Sequence, residues 1–206
     1  MSIAELQNNT EHFLRTNHVV IAGGGSASLP GPAYFRMEPR TGPGGGFMIT
    51  KLRDRHDAPD IFEAWYIPME QIGSFQANRL PTSQESSLRL MLTSQLTACL
   101  FAVGKDGNNT TVAHIQPDQN AHKTLSPQQA AAVRQSDMRM TARARGMKTF
   151  MSHADPFDNF TKGYDYSRTG KGEAVAIVGV RDDAGKWGIF AQVCNKDKTV
   201  KDVHRI

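Results

Sequence analysis

Residues 99–115 read CLFAVGKDGNNTTVAHI, and this segment carries the strongest structural signal in the chain. Two apolar runs rich in β-branched and aromatic residues, 99–103 and 110–115, lie on either side of an Asp-Gly pair. Asp-Gly between two such runs is a strong hairpin signal, because both central positions of a type I′ turn need positive φ. The stretch therefore predicts two antiparallel strands joined at Asp106 and Gly107.

This hairpin brings a cysteine and a histidine together. With Asp106 and Gly107 at the centre of the turn, Cys99 lies directly opposite His114. Opposed residues share a face, with Cβ atoms about 4.5–5.5 Å apart. A thiol and an imidazole at that distance form the arrangement of an activated cysteine nucleophile. The same register pairs Phe101 with Val112 and Val103 with Thr110.

The rest of the chain predicts an α+β fold. The pattern Ser126-Pro127-Gln128-Gln129 is a capping box with proline at the first helical position, so a long helix is expected over 127–145 with Gly146 after it. The arginines at 134, 139, 143 and 145 predict a solvated face for this helix. A central sandwich of mostly antiparallel strands with helices packed outside follows from this order of elements. The other expected elements are a helix over 3–14 and strands over 18–22, 34–37, 47–52, 61–67, 88–93, 173–181, 186–193 and 199–204.

Composition restricts the classes of function. A chain of 206 residues with 39% hydrophobic and 21% charged residues is typical of one globular domain, here expected over 1–206. Two cysteines exclude a disulfide framework and a cysteine-rich zinc module. A net charge of +4 is too small to favour a nucleic-acid partner. The seven histidines include no His-x-His or His-x-x-x-His pair, so neither a metal nor another cofactor is expected.

The termini and the apolar runs bear on location. The N-terminus carries an acidic residue where a signal peptide would be basic, and no apolar run reaches the roughly 18 residues of a membrane span. We therefore expect a chain made in the cytoplasm without a signal peptide, and no membrane partner.

Other chemistry-bearing residues are less informative. Three glycines at 23–25 follow a strand, but the third glycine of a dinucleotide-binding fingerprint is missing, so a loop is expected. His153 and Asp155 lie next to a proline in a polar segment and indicate a solvated turn. Cys194 has no obvious base near it in the sequence and is interpreted as structural.

A family resemblance extends from these residues. Leu96-Thr97-Ala98-Cys99, followed by a strand and by His114, resembles the catalytic core of bacterial glutamine deamidase toxins. That group includes the cytotoxic necrotizing factors and Burkholderia lethal factor, in which a Leu-Ser-Gly-Cys motif supplies the nucleophile and a downstream histidine the base. Thr93 lies six positions before the cysteine, as a threonine does in the lethal factor. The resemblance covers 93–114 and, more loosely, 173–179 and 187–192.

The resemblance implies a function for these positions. Cys99 would be the nucleophile, His114 the general base and acid, and Thr93 the third group that orients the imidazole. The chain would then be a protein-glutamine deamidase acting as a bacterial toxin or effector, without a cofactor. Its substrate would be a host regulatory protein with an exposed glutamine, reached after delivery to the host cytosol, and a monomer is expected.

The residues alone leave two alternatives open. Another thiol enzyme, such as a transglutaminase, peptidase or acyltransferase, would use the same dyad. A non-catalytic interaction protein would keep Cys99 as a buried apolar residue of the core.

Overall fold

Two β-sheets face each other, and helices cover their outer faces. The computed structural model describes residues 3–22, 29–41, 44–54, 58–96, 99–118, 120–152, 163–165, 174–195 and 198–206. Its helices are α1 Ile3–Asn8, α2 Thr10–Thr16 and α3 Pro127–Ala144. Its strands are β1 Val19–Ala22, β2 Gly31–Pro39, β3 Phe47–Lys51, β4 Ile61–Ile67, β5 Met69–Gln71, β6 Asn78–Arg79, β7 Leu90–Thr93, β8 Leu100–Asp106, β9 Asn109–Gln116, β10 Thr149–Ser152, β11 Gly163–Asp165, β12 Ala174–Arg181, β13 Trp187–Cys194 and β14 Val200–Arg205.

The strands form one large and one smaller sheet. The first sheet has the order β1-β3-β2-β4-β7-β12-β13-β14, and the second has the order β11-β10-β8-β9-β5, with β6 also paired to β9. Among the described residues, eight of the twelve strand pairings are antiparallel. The expected fold class, a sandwich of mostly antiparallel strands with helices outside, is confirmed.

Three apolar clusters lie between the layers. The first packs Leu6, Phe13 and Leu14 of the N-terminal helices against the large sheet. The second fills the space between the two sheets, where Phe101 meets side chains of β12 and β13. The third packs Met138 and other side chains of α3 against the outer face of β8 and β9. The hairpin is therefore covered on both faces, as its apolar composition predicts.

The register of the hairpin differs from the prediction. Leu100 pairs with Ile115 and Phe101 pairs with His114, whereas Asp106 pairs with Asn109. The predicted pairs Cys99–His114, Phe101–Val112 and Val103–Thr110 are therefore wrong.

The cause of this difference is the choice of turn residues. Gly107 has a φ of +57°, and Asn108 is not among the described residues with positive φ. A glycine at the first central position is the requirement of a type II′ turn, so the turn is Gly107-Asn108 and not Asp106-Gly107. The shift moves each pairing by two positions, so Cys99 and His114 still belong to the same face.

The helices confirm most of what the sequence predicts. The capping box of α3 is present, with the Ser126 hydroxyl accepting from the Gln129 backbone N–H. The predicted N-terminal helix is divided at Asn9 into α1 and α2. The solvated arginine face of α3 is wrong at Arg139, which is buried because it falls on the stripe of Gln135, Met138 and Ala142.

Several predicted features lie outside the described residues. They are the glycines at 23–25, Thr97 and Ala98 of the motif, and His153 with Asp155. Within the described part of the chain, no helix is both long and apolar enough to cross a membrane.

Candidate active site

The candidate site lies where the chain passes twice from one sheet to the other. β4 ends at Ile67 in the large sheet, and β5 begins at Met69 in the smaller one, with only Pro68 between them. β7 ends at Thr93 in the large sheet, and β8 begins at Leu100 in the smaller one. These two crossings bring the ends of four strands together at one edge of the inter-sheet space.

Strand register fixes which residues meet there. Ile67 pairs with Thr93 in the large sheet, and Met69 pairs with His114 in the smaller sheet. Met91 belongs to the inter-sheet cluster, and side chains alternate along a strand, so Thr93 also points between the sheets. Thr93 and His114 thus approach each other from opposite walls of the sandwich.

A hydrogen bond joins these two side chains. Thr93 Oγ1 and His114 Nδ1 are 2.7 Å apart, and both residues are buried, with 0% and 1% of their surface exposed. In the tautomer in which Nδ1–H donates to Oγ1, Nε2 keeps its lone pair and can accept a proton. The threonine would then orient the imidazole, which is the position that the resemblance gives it.

The environment of His114 favours the neutral imidazole. Burial lowers the pKa of His114 to about 3, because the apolar surroundings disfavour the charged form. Its Nε2 is buried and has no hydrogen-bond partner among the described residues. A buried nitrogen without a partner is costly in a folded protein, so this atom needs an explanation beyond packing.

Cys99 lies on the same face as His114 but not directly opposite it. The register of β8 and β9 ends at Leu100 paired with Ile115; continued by one residue it would place Cys99 opposite Gln116 and diagonal to His114, a spacing of about 7–8 Å between Cα atoms in a regular ladder. The thiol is 5% exposed and belongs to the apolar cluster between the sheets. Its Sγ lies 3.4 Å from Met69 Sδ. The structure therefore brings Cys99, His114 and Thr93 into one neighbourhood, without a hydrogen bond between thiol and imidazole.

Met69 is the neighbour that sequence reasoning missed. It pairs with His114 in β5 and touches the Cys99 thiol. A methionine after Pro68 carries no motif, and a three-residue strand is too short to show periodicity. Its place beside the thiol becomes visible only from the crossing between sheets.

Cys194 lies elsewhere and has a different environment. It ends β13, and burial raises the pKa of its thiol to about 12. Its Sγ donates to Gln192 Oε1 at 3.4 Å. A thiol that keeps its proton is a poor nucleophile, which agrees with the structural interpretation of this residue.

The described ranges hold no candidate set of metal ligands. Within them, no three His, Cys, Asp or Glu side chains group together in a way that could hold an ion. The chemistry available at this site is that of a thiol, an imidazole and a hydroxyl.

Comparison with known proteins locates the fold. No family model and no curated protein matches the sequence. Among solved structures, the chain is similar to the C-terminal domain of CNFy from Yersinia pseudotuberculosis, with a TM-score of 0.50 and 10% sequence identity. The match covers 100% of this chain and 99% of that domain. The likeness is one of fold along the whole chain.

Proposed function

We propose that this chain is a thiol-dependent protein-glutamine deamidase that acts as a bacterial toxin or effector. Cys99 is the nucleophile, His114 the general base and acid, and Thr93 the residue that orients the imidazole. The observation that carries the proposal is the 2.7 Å hydrogen bond between Thr93 and His114 Nδ1, with Nε2 lacking a partner among the described residues.

That hydrogen bond supports a catalytic role over a structural one. An imidazole that served only packing would be expected to use both nitrogens once it is buried. Here one nitrogen is oriented and the other is available on the face that carries the thiol. This is the arrangement of nucleophile, base and orienting group that thiol and serine hydrolases share.

The first half of the reaction forms a thioester. The proton of the Cys99 thiol moves to His114 Nε2, and the thiolate attacks the carboxamide carbon of a glutamine side chain. The carbon–nitrogen bond then breaks, and His114 returns the proton to the leaving nitrogen, which departs as ammonia.

The second half hydrolyses the thioester. His114 takes a proton from a water molecule, the resulting hydroxide attacks the thioester carbon, and the carbon–sulfur bond breaks. The Cys99 sulfur leaves as thiolate and recovers its proton, and the glutamine has become glutamate. One water is consumed and one ammonia is released for each glutamine.

The low pKa of His114 gives the resting pair a definite charge state. Because burial holds the pKa of His114 at about 3, the imidazole is neutral at neutral pH. The resting enzyme then holds a thiol beside a neutral base, not an imidazolium–thiolate pair. The proton moves from the Cys99 thiol to His114 when substrate binds, because the polar carboxamide and the developing thiolate charge then replace the apolar surroundings of the imidazole.

Fold and motif support the same function. CNFy belongs by name to the cytotoxic necrotizing factors, the group that the Cys99 motif resembles, and its C-terminal domain shares the fold of this chain. Under this proposal the substrate is a host regulatory protein that presents an exposed glutamine, and the protein acts in the host cytosol.

The test is peptide-level mass spectrometry of a eukaryotic cell lysate after incubation with the purified chain. Deamidation adds about one dalton to a glutamine, and wild type is expected to produce this change at one or a few glutamines. Cys99→Ser should produce none, whereas Cys194→Ser, the matched control, should act like wild type. A fluorescent primary amine added to the same lysate distinguishes a transglutaminase, which would couple the amine to glutamine.

Two results would contradict the proposal. Coupling of the amine at a glutamine in place of the one-dalton gain would assign the site to a transglutaminase, since ammonia is released in both reactions and only the group that attacks the thioester differs. Identical lysates for wild type and Cys99→Ser, across mammalian, plant and yeast extracts, would leave Cys99 as a core residue.

A further inference from the structure

The contact between Cys99 and Met69 indicates how the site is held at rest. We propose that Met69 is a positioning residue that keeps the resting Cys99 thiol away from His114, and that a bound glutamine side chain displaces it so that the thiol reaches Nε2. This inference rests on the proposed deamidase function and concerns the control of that same site.

The contact lies directly over the strand that carries His114. β9 runs between β8 and β5 in the smaller sheet, and Met69 is the register partner of His114. Cys99 stands just before β8, on the other side of β9. The two sulfur atoms therefore meet above β9, 3.4 Å apart, on the face to which the imidazole belongs.

The thioether and the imidazole compete for one proton. A thiol has a single S–H and can donate to one acceptor at a time. In this structure it donates to Met69 Sδ, and His114 Nε2 has no partner among the described residues. A thioether is a weak acceptor and no base, so the proton stays on sulfur while this contact lasts.

Met69 is also the member of the group that reaches the surface. Thr93, Cys99 and His114 are 0%, 5% and 1% exposed, whereas Met69 is only half-buried. Among these four residues, Met69 is therefore the one that a glutamine side chain arriving from solvent can contact most readily. The glutamine amide would take the place of the Met69 thioether beside Cys99 Sγ. The carboxamide carbon then lies next to the thiol at the moment when the S–H no longer donates to Met69.

The position of Met69 lets its side chain be displaced at a small cost in free energy. Methionine is unbranched and adapts its shape readily. It belongs to a three-residue strand at the edge of the smaller sheet, so its side chain has a neighbouring strand on one side only. Leucine has nearly the same volume but no sulfur, and Met69→Leu therefore removes the acceptor while it keeps the cover.

The experiment measures alkylation of Cys99 by iodoacetamide in the purified chain, read peptide by peptide by mass spectrometry. The variants are Met69→Leu, Met69→Ala and the matched control Met138→Leu, each with His114 and with His114→Gln. Met138 is fully buried on the opposite face of the smaller sheet. Thermal unfolding is followed for every variant, and labelling is run at a temperature at which all of them remain folded.

Met69→Leu is expected to label about three- to tenfold faster than wild type, the range that loss of one hydrogen bond gives. Met69→Ala should label faster still because it also uncovers the thiol, and Met138→Leu should label at the wild-type rate. In the His114→Gln background the acceleration by Met69→Leu should disappear, because the released thiol has no base to reach.

Each contrary result has one meaning. If Met69→Leu labels at the wild-type rate, or if its acceleration persists with His114→Gln, the methionine is only a cover and the inference fails. If His114→Gln deamidates glutamine at the wild-type rate while Met69 is intact, the dyad itself, and with it the proposed function, fails.

Discussion

The two cysteines of this chain are both buried, Cys99 directly before β8 and Cys194 at the end of β13, but the polar groups around them differ. Gln192 stands beside Cys194, and its amide donates to the backbone carbonyls of Leu14 and Asn17 and accepts from the Val19 N–H. Every part of that amide is used to join the N-terminal helices to the large sheet. Beside Cys99, in contrast, His114 uses only one of its two ring nitrogens within the described structure.

Burial alone therefore does not distinguish the two cysteines. Apolar surroundings alone favour the protonated thiol, as they do at Cys194, where the pKa rises to about 12. The Cys99 region differs in that it contains the buried base His114. Its Nδ1 is held by a hydrogen bond, and its Nε2 has no partner among the described residues. Four changes test this comparison between the regions.

The largest expected effect is on catalysis. Cys99→Ser should lower glutamine deamidation by about a thousandfold or more, because the hydroxyl is a far weaker nucleophile at this position. Cys194→Ser should keep deamidation near the wild-type rate. The measurement is the rate of ammonia release with a responsive lysate fraction, and an equal loss in both variants would mean that the two regions do not differ in function.

Acid pH should reveal the buried imidazole. The pKa of His114 is lowered from an ordinary value of about 6.5 to about 3, so the unfolded chain binds a proton over this window and the folded chain does not. The stability associated with the neutral imidazole is fully present above pH 6.5, is reduced by about 3 kcal/mol at pH 4, and is lost progressively towards pH 3.

Urea unfolding at pH 7 and pH 4 measures how the free energy of unfolding changes with pH. His114→Gln should lose about 3 kcal/mol less than wild type between these two pH values, because glutamine does not titrate. A variant with the wild-type slope would show that His114 is not buried as a neutral group.

The Cys194 region should respond through stability and not through reactivity. Gln192→Leu leaves two carbonyls and one N–H without their partner and should cost about 2 kcal/mol in the free energy of unfolding. Gln76→Leu, at an exposed position, should change stability by less than about 0.5 kcal/mol. If Gln192→Leu also changed the alkylation rate of Cys99, the two regions would be coupled and the comparison would not hold.

The smallest effect is expected at Thr93. Thr93→Val keeps the shape but removes the hydroxyl that orients His114, and deamidation should fall about three- to tenfold. Thr110→Val, at a buried threonine that lies on β9, is the matched control and should leave the rate unchanged. A full wild-type rate in Thr93→Val would show that another group holds the imidazole.

The hairpin shows how far sequence could go in predicting this site. Its two strands and the shared face of Cys99 and His114 follow from alternation and from the turn signal, and both are present. The pairing itself was two positions out, because Asp-Gly and Gly-Asn are adjacent turn candidates that differ in which residue takes positive φ. A shift of two keeps every side chain on its face, so Cys99 and His114 still share a face despite the error in register.

Longer elements with end signals were the most predictable. Helix α3 begins at Pro127 as the capping box indicates and ends at Ala144, one residue before the predicted end. The strands β5 and β6, with three and two residues, are too short to carry a pattern. Arg139 was misjudged because its burial depends on which stripe of α3 faces the sheet, a tertiary property that charge alone does not reveal.

The contact between Met69 and Cys99 could not have been predicted. It depends on two chain crossings between sheets, one at Pro68 and one between Leu96 and Leu100, that end at the same edge of the sandwich. The hydrogen bond between Thr93 and His114 also crosses between the sheets. The resemblance to the deamidase toxins singled out that threonine, whereas no local pattern did.

The most direct test of the central claim is the alkylation of the two cysteines in the same tube. Purified Met69→Leu, which lacks the competing thioether, and the double variant Met69→Leu/His114→Gln are treated with iodoacetamide at pH 7.5, and the modification of Cys99 and Cys194 is followed over time by peptide mass spectrometry. We predict that Cys99 reacts faster than Cys194 in Met69→Leu and that only Cys99 slows when His114→Gln is added. Equal rates at the two cysteines, or a Cys99 rate that does not change when His114→Gln is added, would contradict that claim.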